Sequence, residues 1–223
     1  MTQSPNRKHR VFLVDDHAIV RQGLTLLINQ EPDLQVCGVA EEAESVPAAL
    51  AALVPDVLVL DISLRGPDGI DLLKTIRATD QSLPILVLSM HDETLYAERA
   101  LRAGANGYIM KQEATDKVLV AIRRILSHEV YVSERVANGV LQQMVQRHAG
   151  APAASVASLS DRELEVFRLI GLGHSTREIA LELHLSVKTV ESYQAHIKEK
   201  LALRTARALM QRAIEWRLGE PSA

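Results

Sequence analysis

Short apolar runs rich in β-branched residues alternate with amphipathic stretches along the first half of the chain, and this alternation constrains the fold more than any other feature of the sequence. The runs predict five strands that are buried on both faces, at 10–14, 34–39, 56–60, 84–88 and 107–110. The stretches that follow them are long enough for right-handed crossover helices, near 17–29, 43–53, 68–79, 92–103 and 114–126. We therefore predict an α/β domain with a doubly wound, five-stranded parallel sheet.

The alternation stops after residue 127, and the rest of the chain is organised differently. Residues 134–146 predict one more helix, and the small residues of 149–155, which include a glycine and a proline, are typical of a linker. Beyond them only helical periodicity remains, in four segments at Asp161–Leu172, Thr176–Leu183, Val187–Leu201 and Thr205–Leu218. We predict a first domain over 1–127, a linker with one helix over 128–156, and a small all-α four-helix domain over 157–223.

Composition supports this division and excludes several classes of protein. A chain of 223 residues, 47% hydrophobic and 24% charged, suits two small globular domains. No apolar run approaches the roughly 20 residues that a membrane helix needs, and the polar first ten residues lack the apolar core of a signal peptide, so we expect a cytoplasmic protein. The single cysteine, Cys37, excludes an internal disulfide and a cysteine metal site, and its surroundings predict a small buried strand residue.

Charge is distributed unevenly between the two predicted domains. Residues 1–127 contain 17 acidic and 13 basic side chains, a balance that fits a cation-binding domain. Residues 155–223 contain 9 acidic and 10 basic side chains, which is too weak an excess to indicate nucleic-acid binding. The charge balance alone therefore does not indicate a DNA-binding domain.

Ionisable and hydroxyl residues stand at the carboxyl ends of four predicted strands. They are Asp15 with Asp16, Asp61, Ser89 and Lys111. In an open parallel sheet these ends meet at one edge, where ligands bind. Three carboxylates brought together repel one another unless a cation neutralises them, and hard oxygen ligands suit Mg2+ better than zinc. The sequence therefore predicts a divalent-cation site.

The same residues predict phosphoryl chemistry. With Mg2+ in place, Asp61 stays ionised and can attack a phosphoryl group in line, which makes it an acyl phosphate. Lys111 and the hydroxyl of Ser89 would then bind the phosphoryl oxygens as charge develops on them. His17 and His91 stand next to this pocket in the sequence, but the chemistry is complete without them.

These residues, together with Asp68–Gly69 and the segment 104–108, resemble the receiver domain of two-component signalling over about residues 8–127. The resemblance implies a flavodoxin-like fold and a sensor histidine kinase as phosphoryl donor. It also implies that Asp16, Asp61 and the carbonyl of Ser63 ligate Mg2+ and that Asp15 assists through water. Ser89 and Tyr108 match the family's switch pair, which reorients when the phosphate arrives.

The second domain contains clear signals for helix starts and for a helix-turn-helix. Ser160 to Glu163 and Ser175 to Glu178 match capping boxes, and Ser186 can cap the third helix. In that helix the 3.6-residue period separates an apolar face (Val190, Tyr193, Ile197, Leu201) from a polar one (Lys188, Glu191, Ser192, Ala195, Glu199). The polar face fits a major groove, with five residues able to reach phosphates: Ser186, Lys188, Thr189, Lys198 and Lys200.

Residues 157–217 resemble the LuxR-type DNA-binding domain through four motifs, Leu159–Glu163, Glu178–Ala180, Leu185–Val190 and Lys200–Leu201. The resemblance implies base-reading positions at Glu191, Ser192 and Ala195. Glu191 can accept a hydrogen bond from a cytosine amine, but it can also act by repelling a phosphate.

A receiver followed by a LuxR-type domain is the layout of the NarL/FixJ subfamily. It implies a response regulator and transcription factor in which phosphorylation controls homodimerisation and binding to promoter DNA. The helix at 205–218, with Ala208, Leu209, Ala213 and Trp216, is either a dimer interface or part of the core, and the sequence favours neither. An alternative is an adaptor that binds protein and no longer reads DNA.

An enzyme of the haloacid dehalogenase type would also form an aspartyl phosphate, but it needs a second acid two residues after the nucleophile. This chain has Ser63 there. We therefore expect no enzyme activity beyond slow hydrolysis of its own phosphate.

Overall fold

A computed structural model describes residues 7–64, 69–90, 93–139 and 156–218. The chain divides into two compact units, Met1–Gln146 and Arg147–Ala223, and the division falls inside the segment predicted as linker. None of the described helices is long and apolar enough to cross a membrane.

The first unit contains a five-stranded, all-parallel sheet with the order β2-β1-β3-β4-β5, which confirms the predicted doubly wound sheet. The strands are β1 (His9–Val14), β2 (Leu34–Ala40), β3 (Val57–Asp61), β4 (Ile85–Ser89) and β5 (Gly107–Met110). In this order the direction of winding reverses between β1 and β3, and the carboxyl ends of these two strands flank the crevice that forms there.

Five helices connect and follow the strands. They are α1 (Ala18–Asn29), α2 (Val46–Leu53), α3 (Gly69–Thr79), α4 (Glu93–Arg102) and α5 (Ala114–Leu126). Helices α1 and α5 bury their apolar faces on one side of the sheet, where Ile28, Val118 and Ile122 are inaccessible to solvent. The amphipathic periodicity of the sequence predicted each of these helices to within a few residues.

The prediction that all five strands are buried on both faces is wrong for β2. Its residues are mostly half-buried and Val39 is 51% exposed, because β2 is an edge strand with a neighbour on one side only. Cys37 is also half-buried instead of buried. It lies where the pairing with β1 shifts register, between the pairs Val11–Val36 and Phe12–Gly38.

The chain does not leave the first unit at the end of α5. Tyr131 forms an isolated parallel bridge with Gly107, so the segment after α5 lies along the free edge of β5. Residues 134–139 then form helix α6. The predicted helix at 134–146 is therefore seen over its first six residues, and the rest of it lies outside the described residues.

The described part of the second unit, residues 156–218, contains four α-helices, α7 (Asp161–Gly171), α8 (Thr176–Glu182), α9 (Val187–Lys200) and α10 (Ala206–Leu218). Both predicted capping boxes are present, at the starts of α7 and α8, and the hydroxyl of Ser186 accepts from the backbone N–H of Thr189 at the start of α9. These caps satisfy backbone donors that a helix leaves unpaired in its first turn.

Helix α10 contributes to the core of the second unit. Leu209 and Ala213 are buried, and the ring of Trp216 packs against Phe167 of α7 with centroids 5.5 Å apart. Gly171 makes the close approach of these helices possible, since a Cβ there would lie 2.7 Å from the carbonyl oxygen of Ala213. For these residues the structure supports the core alternative over the interface alternative.

Candidate functional site

The residues predicted at the strand ends come together at the carboxyl edge of the sheet. Asp15 follows β1, Asp61 ends β3, Ser89 ends β4 and Lys111 follows β5. The side chains of Asp15 and Asp61 are 4% and 0% exposed, and that of Lys111 is 5% exposed. Ionised groups buried to this extent require partners, since an unpaired charge in the interior is very costly.

Lys111 supplies the positive charge in this pocket. Its Nζ lies 2.7 Å from Asp15 Oδ2 and 2.7 Å from Asp61 Oδ2, so one ammonium bridges two carboxylates. Lys111 was predicted to bind phosphoryl oxygens, and its position beside Asp61 is compatible with that role once a phosphoryl group is attached. With Asp16 nearby, three carboxylates face a single lysine, and the pocket retains excess negative charge.

Asp61 has its carboxylate fixed on both oxygens. Oδ1 accepts from the backbone N–H of Ser63 at 2.7 Å, and Oδ2 accepts from Lys111. Burial raises the pKa of Asp61 above its ordinary value, Lys111 opposes this without cancelling it, and the neighbouring Asp15 carboxylate adds to the rise. An added cation would favour the ionised form, which is the form that can act as a nucleophile.

His17 belongs to the pocket, although sequence analysis left it out of the site. Its Nδ1 lies 2.6 Å from Asp16 Oδ1 and 3.3 Å from Asp15 Oδ1. Ligand atoms of Asp15, Asp16, His17 and Asp61 all lie within 4.8 Å of one another. Its position directly after the aspartate pair was the available signal. His91, the other histidine near the site in sequence, lies outside the described residues.

The donor set fits the cation that sequence analysis predicted. The three aspartates offer hard oxygen ligands in one cluster, as Mg2+ prefers. Ser63, predicted to contribute its carbonyl, is placed next to the cluster by the hydrogen bond from its N–H to Asp61. Its Oγ is buried and has no hydrogen-bond partner within the described part of the chain. This end of the pocket therefore has a polar atom that can still form a hydrogen bond.

Arg21 is a pocket residue that sequence analysis missed. It lies on the buried face of α1, donates from Nη1 to the backbone carbonyl of Asp15 at 2.5 Å, and pairs with Glu41. It therefore fixes the loop that holds Asp15 and Asp16. An arginine among the apolar positions of an amphipathic helix was the only signal in the sequence.

The predicted switch pair occupies neighbouring strands. Ser89 is fully buried at the end of β4, and Tyr108 is 2% exposed in β5. Tyr108 pairs with Val87, two residues before Ser89, so both side chains lie on the same face of the sheet. Tyr108 is therefore positioned to respond to changes at the end of β4.

In the second unit, α9 presents the predicted reading face to solvent. Lys188, Glu191, Ser192 and Ala195 are exposed, whereas Val190 and Ile197 on the opposite side are buried. Gln194 donates to the hydroxyl of Thr176 at 3.2 Å, which ties α9 to α8 across the turn. The two helices and their turn form a helix-turn-helix.

The residues predicted to contact DNA phosphates differ in their exposure and in their partners within the protein. Ser186 and Thr189 stand in the first turn of α9 with their hydroxyl oxygens 2.7 Å apart, and Lys188 beside them is exposed. Lys198 is half-buried. Lys200 is engaged with Glu163 of α7, with Nζ 2.6 Å from Oε2.

Glu163 has a central position in the second unit. It is 4% exposed and also accepts from the backbone N–H of Ser160, as the capping-box acid of α7. Burial acts to raise the pKa of Glu163, but hydrogen bonds from Lys200 and from Ser160 outweigh it, so this pKa lies below its ordinary value. The pair therefore joins the first turn of α7 to the last turn of α9.

The fold and the two sites define a class of protein: an α/β domain with an acidic pocket at its sheet edge, joined to a helix-turn-helix domain. Residues 11–123 match the response regulator receiver domain, and residues 157–213 match the bacterial regulatory proteins of the luxR family. The chain belongs to the two-component response regulators of the NarL/FixJ type, as the sequence predicted.

Known relatives share this layout over almost their whole length. The oxygen regulatory protein NreC of Staphylococcus aureus is 33% identical over 216 residues, which cover 95% of this chain and 99% of that protein. RcsB of Salmonella enterica serovar Typhimurium, solved bound to the rprA promoter with a phosphomimetic, has a TM-score of 0.59 at 28% identity, covering 93% of this chain and 99% of that one.

A LuxR-family two-component response regulator from Aurantimonas sp. SI85-9A1 has a TM-score of 0.57 at 34% identity and covers 62% of this chain and 99% of that one. Together with the two domain matches, these similarities establish the general function. The protein is a transcription regulator controlled by phosphorylation, which confirms the prediction at that level.

Proposed function

We propose that Asp61 is the phosphoryl acceptor and that a sensor histidine kinase is the donor. The observation that supports this most strongly is the placement of Asp61, fully buried at the end of β3, with Lys111 and Asp15 around its carboxylate. Oδ of Asp61 attacks phosphorus in line, the P–N bond to the kinase histidine breaks, and the imidazole leaves with the bonding electron pair. The product is an aspartyl phosphate.

Two residues of this chain would stabilise the negative charge that develops on the phosphoryl oxygens, and a third would change position afterwards. Lys111 exchanges its contact with the Asp61 carboxylate for one with the phosphoryl oxygens, and the Ser89 hydroxyl donates to another of them. The side chain of Tyr108 then moves into the space that the side chain of Ser89 leaves. We propose no enzymatic activity beyond slow hydrolysis of this acyl phosphate.

Asp15, Asp16 and Asp61, with the carbonyl of Ser63, would hold Mg2+. The bound ion would neutralise the attacking carboxylate and the phosphoryl oxygens. Arg21 and His17 fix the loop that contains Asp15 and Asp16, through the contacts Arg21 makes with the Asp15 carbonyl and His17 makes with both carboxylates.

For output, we propose that α9 enters the major groove of promoter DNA in the cytoplasm. Glu191, Ser192 and Ala195 would face base edges, because they form the exposed side of α9. Phosphates would be contacted from the start and flank of the helix by Ser186, Lys188, Thr189 and Lys198. RcsB, to which this chain is similar, has been solved bound to promoter DNA, and this supports DNA binding by the present chain. We propose that phosphorylation favours a homodimer on inverted half-sites.

The acceptor assignment is tested by treating the protein with a small phosphodonor and Mg2+ and measuring phosphoryl incorporation by intact mass. We expect one phosphoryl group on the unaltered protein and none on Asp61→Asn, whereas the control Asp71→Asn, which changes an exposed aspartate of α3, is labelled normally. Equal labelling of the Asp61→Asn protein refutes the assignment.

The output assignment is tested by selecting bound sequences from random duplex DNA with phosphorylated protein, followed by gel shifts at several salt concentrations. We expect a symmetric consensus and a binding constant that falls with salt. A protein that is phosphorylated at Asp61 and yet binds no duplex at low salt is an adaptor, and the DNA-reading proposal is then wrong.

A further inference from the structure

The segment that leads into α6 is attached to β5 and to the first residue of α4, the helix that follows β4. The attachment consists of Tyr131, beside β5, and Ser133, the residue before α6, and we call these two residues the output latch. Their contacts all lie within the first unit and involve only described residues. They provide a physical route from the pocket to the segment that leads to the second unit.

The first arm of the latch is a pair of backbone hydrogen bonds to β5. The N–H of Tyr108 donates to the carbonyl of Tyr131 at 2.9 Å, and the N–H of Tyr131 donates to the carbonyl of Asn106 at 3.0 Å. Gly107 permits this approach, because a Cβ there would lie 2.9 Å from the Tyr131 carbonyl oxygen. Any movement of the Tyr108 backbone is therefore transmitted directly to Tyr131.

The second arm runs to α4. The hydroxyl of Ser133 donates to Oε1 of Glu93 at 2.8 Å, and Oγ of Ser133 accepts from the backbone N–H of Val136 at 3.2 Å. Glu93 is the first residue of α4 and stands four residues after Ser89. A shift of the chain after Ser89 therefore changes the position of the carboxylate that holds Ser133.

The latch is held by its side chains as well as by its hydrogen bonds. The Tyr131 ring packs against the apolar core of the sheet and lies 5.9 Å from the Arg124 guanidinium of α5. Val136, the third residue of α6, is 6% exposed. These contacts fix the direction in which α6 begins, so the latch has one arrangement when both arms are closed.

We infer that Tyr131 and Ser133 are the positioning residues through which phosphorylation of Asp61 controls the linker and thus DNA binding. The inference rests on the proposed function, since it takes Ser89 and Tyr108 as the readout of the phosphoryl group. The first arm begins at Tyr108 and the second at Glu93, four residues after Ser89, and both arms end at the first residues of the linker. A change at the pocket therefore biases the direction of α6 through two independent contacts.

The test compares Ser133→Ala with the control Ser127→Ala, which removes an exposed hydroxyl at the end of α5. A duplex selected with the phosphorylated, unaltered protein serves as the probe, and its affinity is measured with and without phosphodonor and Mg2+. Loss of one hydrogen bond changes an equilibrium about two- to tenfold. We expect the phosphodonor response of Ser133→Ala to fall by about that factor, and that of Ser127→Ala to match the unaltered protein.

Hydrogen exchange supplies a readout that does not depend on DNA. In the unaltered protein the amides of Tyr108 and Tyr131 should change their exchange rate when the phosphodonor is added, and Gly107→Ala should remove this response because its Cβ separates the two segments. The expected result is a change at both amides together.

Phosphoryl incorporation measured in the same samples separates the two proposals. Incorporation at Asp61 with unchanged exchange at Tyr131 and an unaltered response of Ser133→Ala overturns the latch and leaves the acceptor assignment intact. Absence of incorporation into the unaltered protein overturns both.

Discussion

The phosphoryl pocket and the reading face of α9 are built in opposite ways. Asp15, Asp61 and Lys111 are almost inaccessible, and Lys111, which follows β5, holds the carboxylates at the ends of β1 and β3. On α9 the four reading-face residues are exposed, and their positions are set by the buried opposite side of the helix and by the cap at Ser186. The side chains of the pocket come from the ends of several strands, whereas those of the reading face all come from one helix.

This difference determines which substitutions each site tolerates. A change in the pocket disturbs a buried charge balance and so alters stability and chemistry together. We expect a change at an exposed position of α9 to leave the packing intact and to alter only the proposed contacts with DNA. Lys200 is the exception in the second unit, because its contact with the buried Glu163 makes it resemble the pocket residues.

The largest effect is expected at the pocket lysine. Lys111→Met removes the cation that faces the phosphoryl oxygens, and we expect the rate of phosphoryl incorporation to fall about a hundredfold, as for loss of one charge-stabilising donor. The control is Lys117→Met, which changes an exposed lysine of α5 that pairs with Glu113. This variant should keep the normal rate of phosphoryl incorporation. Rates measured by intact mass over time decide this. If Lys111→Met incorporates phosphoryl groups at a rate within about threefold of the normal rate, the lysine serves packing only.

A smaller effect distinguishes two lysines of α9. Lys188→Met should reduce the slope of log binding constant against log salt by about 0.9, since an exposed lysine near the helix start loses one phosphate contact. Lys200→Met should leave that slope unchanged and lower the free energy of unfolding by about 1–2 kcal/mol, because the buried Glu163 loses its charged hydrogen-bond partner and keeps the backbone N–H of Ser160. Salt titrations and denaturant unfolding of both variants measure the two quantities.

The opposite pattern, a reduced salt slope for Lys200→Met with normal stability, would place Lys200 on the DNA backbone, where the sequence predicted it. Thermal unfolding of Lys198→Met is a useful comparison, since Lys198 is half-buried on the same turn and no salt bridge is described for it.

The sequence predicted the strands, the helices and the pocket residues at the strand ends, because each depends on a local pattern. A β-branched run indicates a strand, and a residue at its end is carried to the sheet edge by the fold itself. Strand order is not local, so the exposure of β2 was missed. The prediction that Cys37 is buried failed for the same reason.

Contacts between distant segments account for the remaining gaps. Helical periodicity places Lys200 on the flank of α9, but Glu163 is 37 residues earlier, and nothing near Lys200 indicates the pair. The role of Arg21 depends on the Asp15 carbonyl, and that of Tyr131 depends on the free edge of β5. Such partners become visible only when the tertiary structure is known.

The smallest effect concerns the stability of the pocket itself. Because the pKa of Asp61 is raised in the folded state, its ionised form is less favourable there than in the unfolded chain. This cost is present at neutral pH and disappears as the pH falls toward the ordinary value of an aspartate, about 3.9. Without Mg2+, Asp61→Asn should therefore raise the free energy of unfolding at pH 7.

The gain should become smaller as the pH is lowered, because the unaltered Asp61 is then protonated and resembles asparagine in charge. Denaturant unfolding in the presence of a chelator, repeated across this pH range, measures it, with Asp71→Asn as an exposed control whose stability should change little. Adding Mg2+ should stabilise the unaltered protein more than Asp61→Asn, since the variant has lost one carboxylate ligand. If Asp61→Asn is the less stable protein at pH 7, Lys111 must already compensate the buried charge, and the pocket needs no cation for its stability.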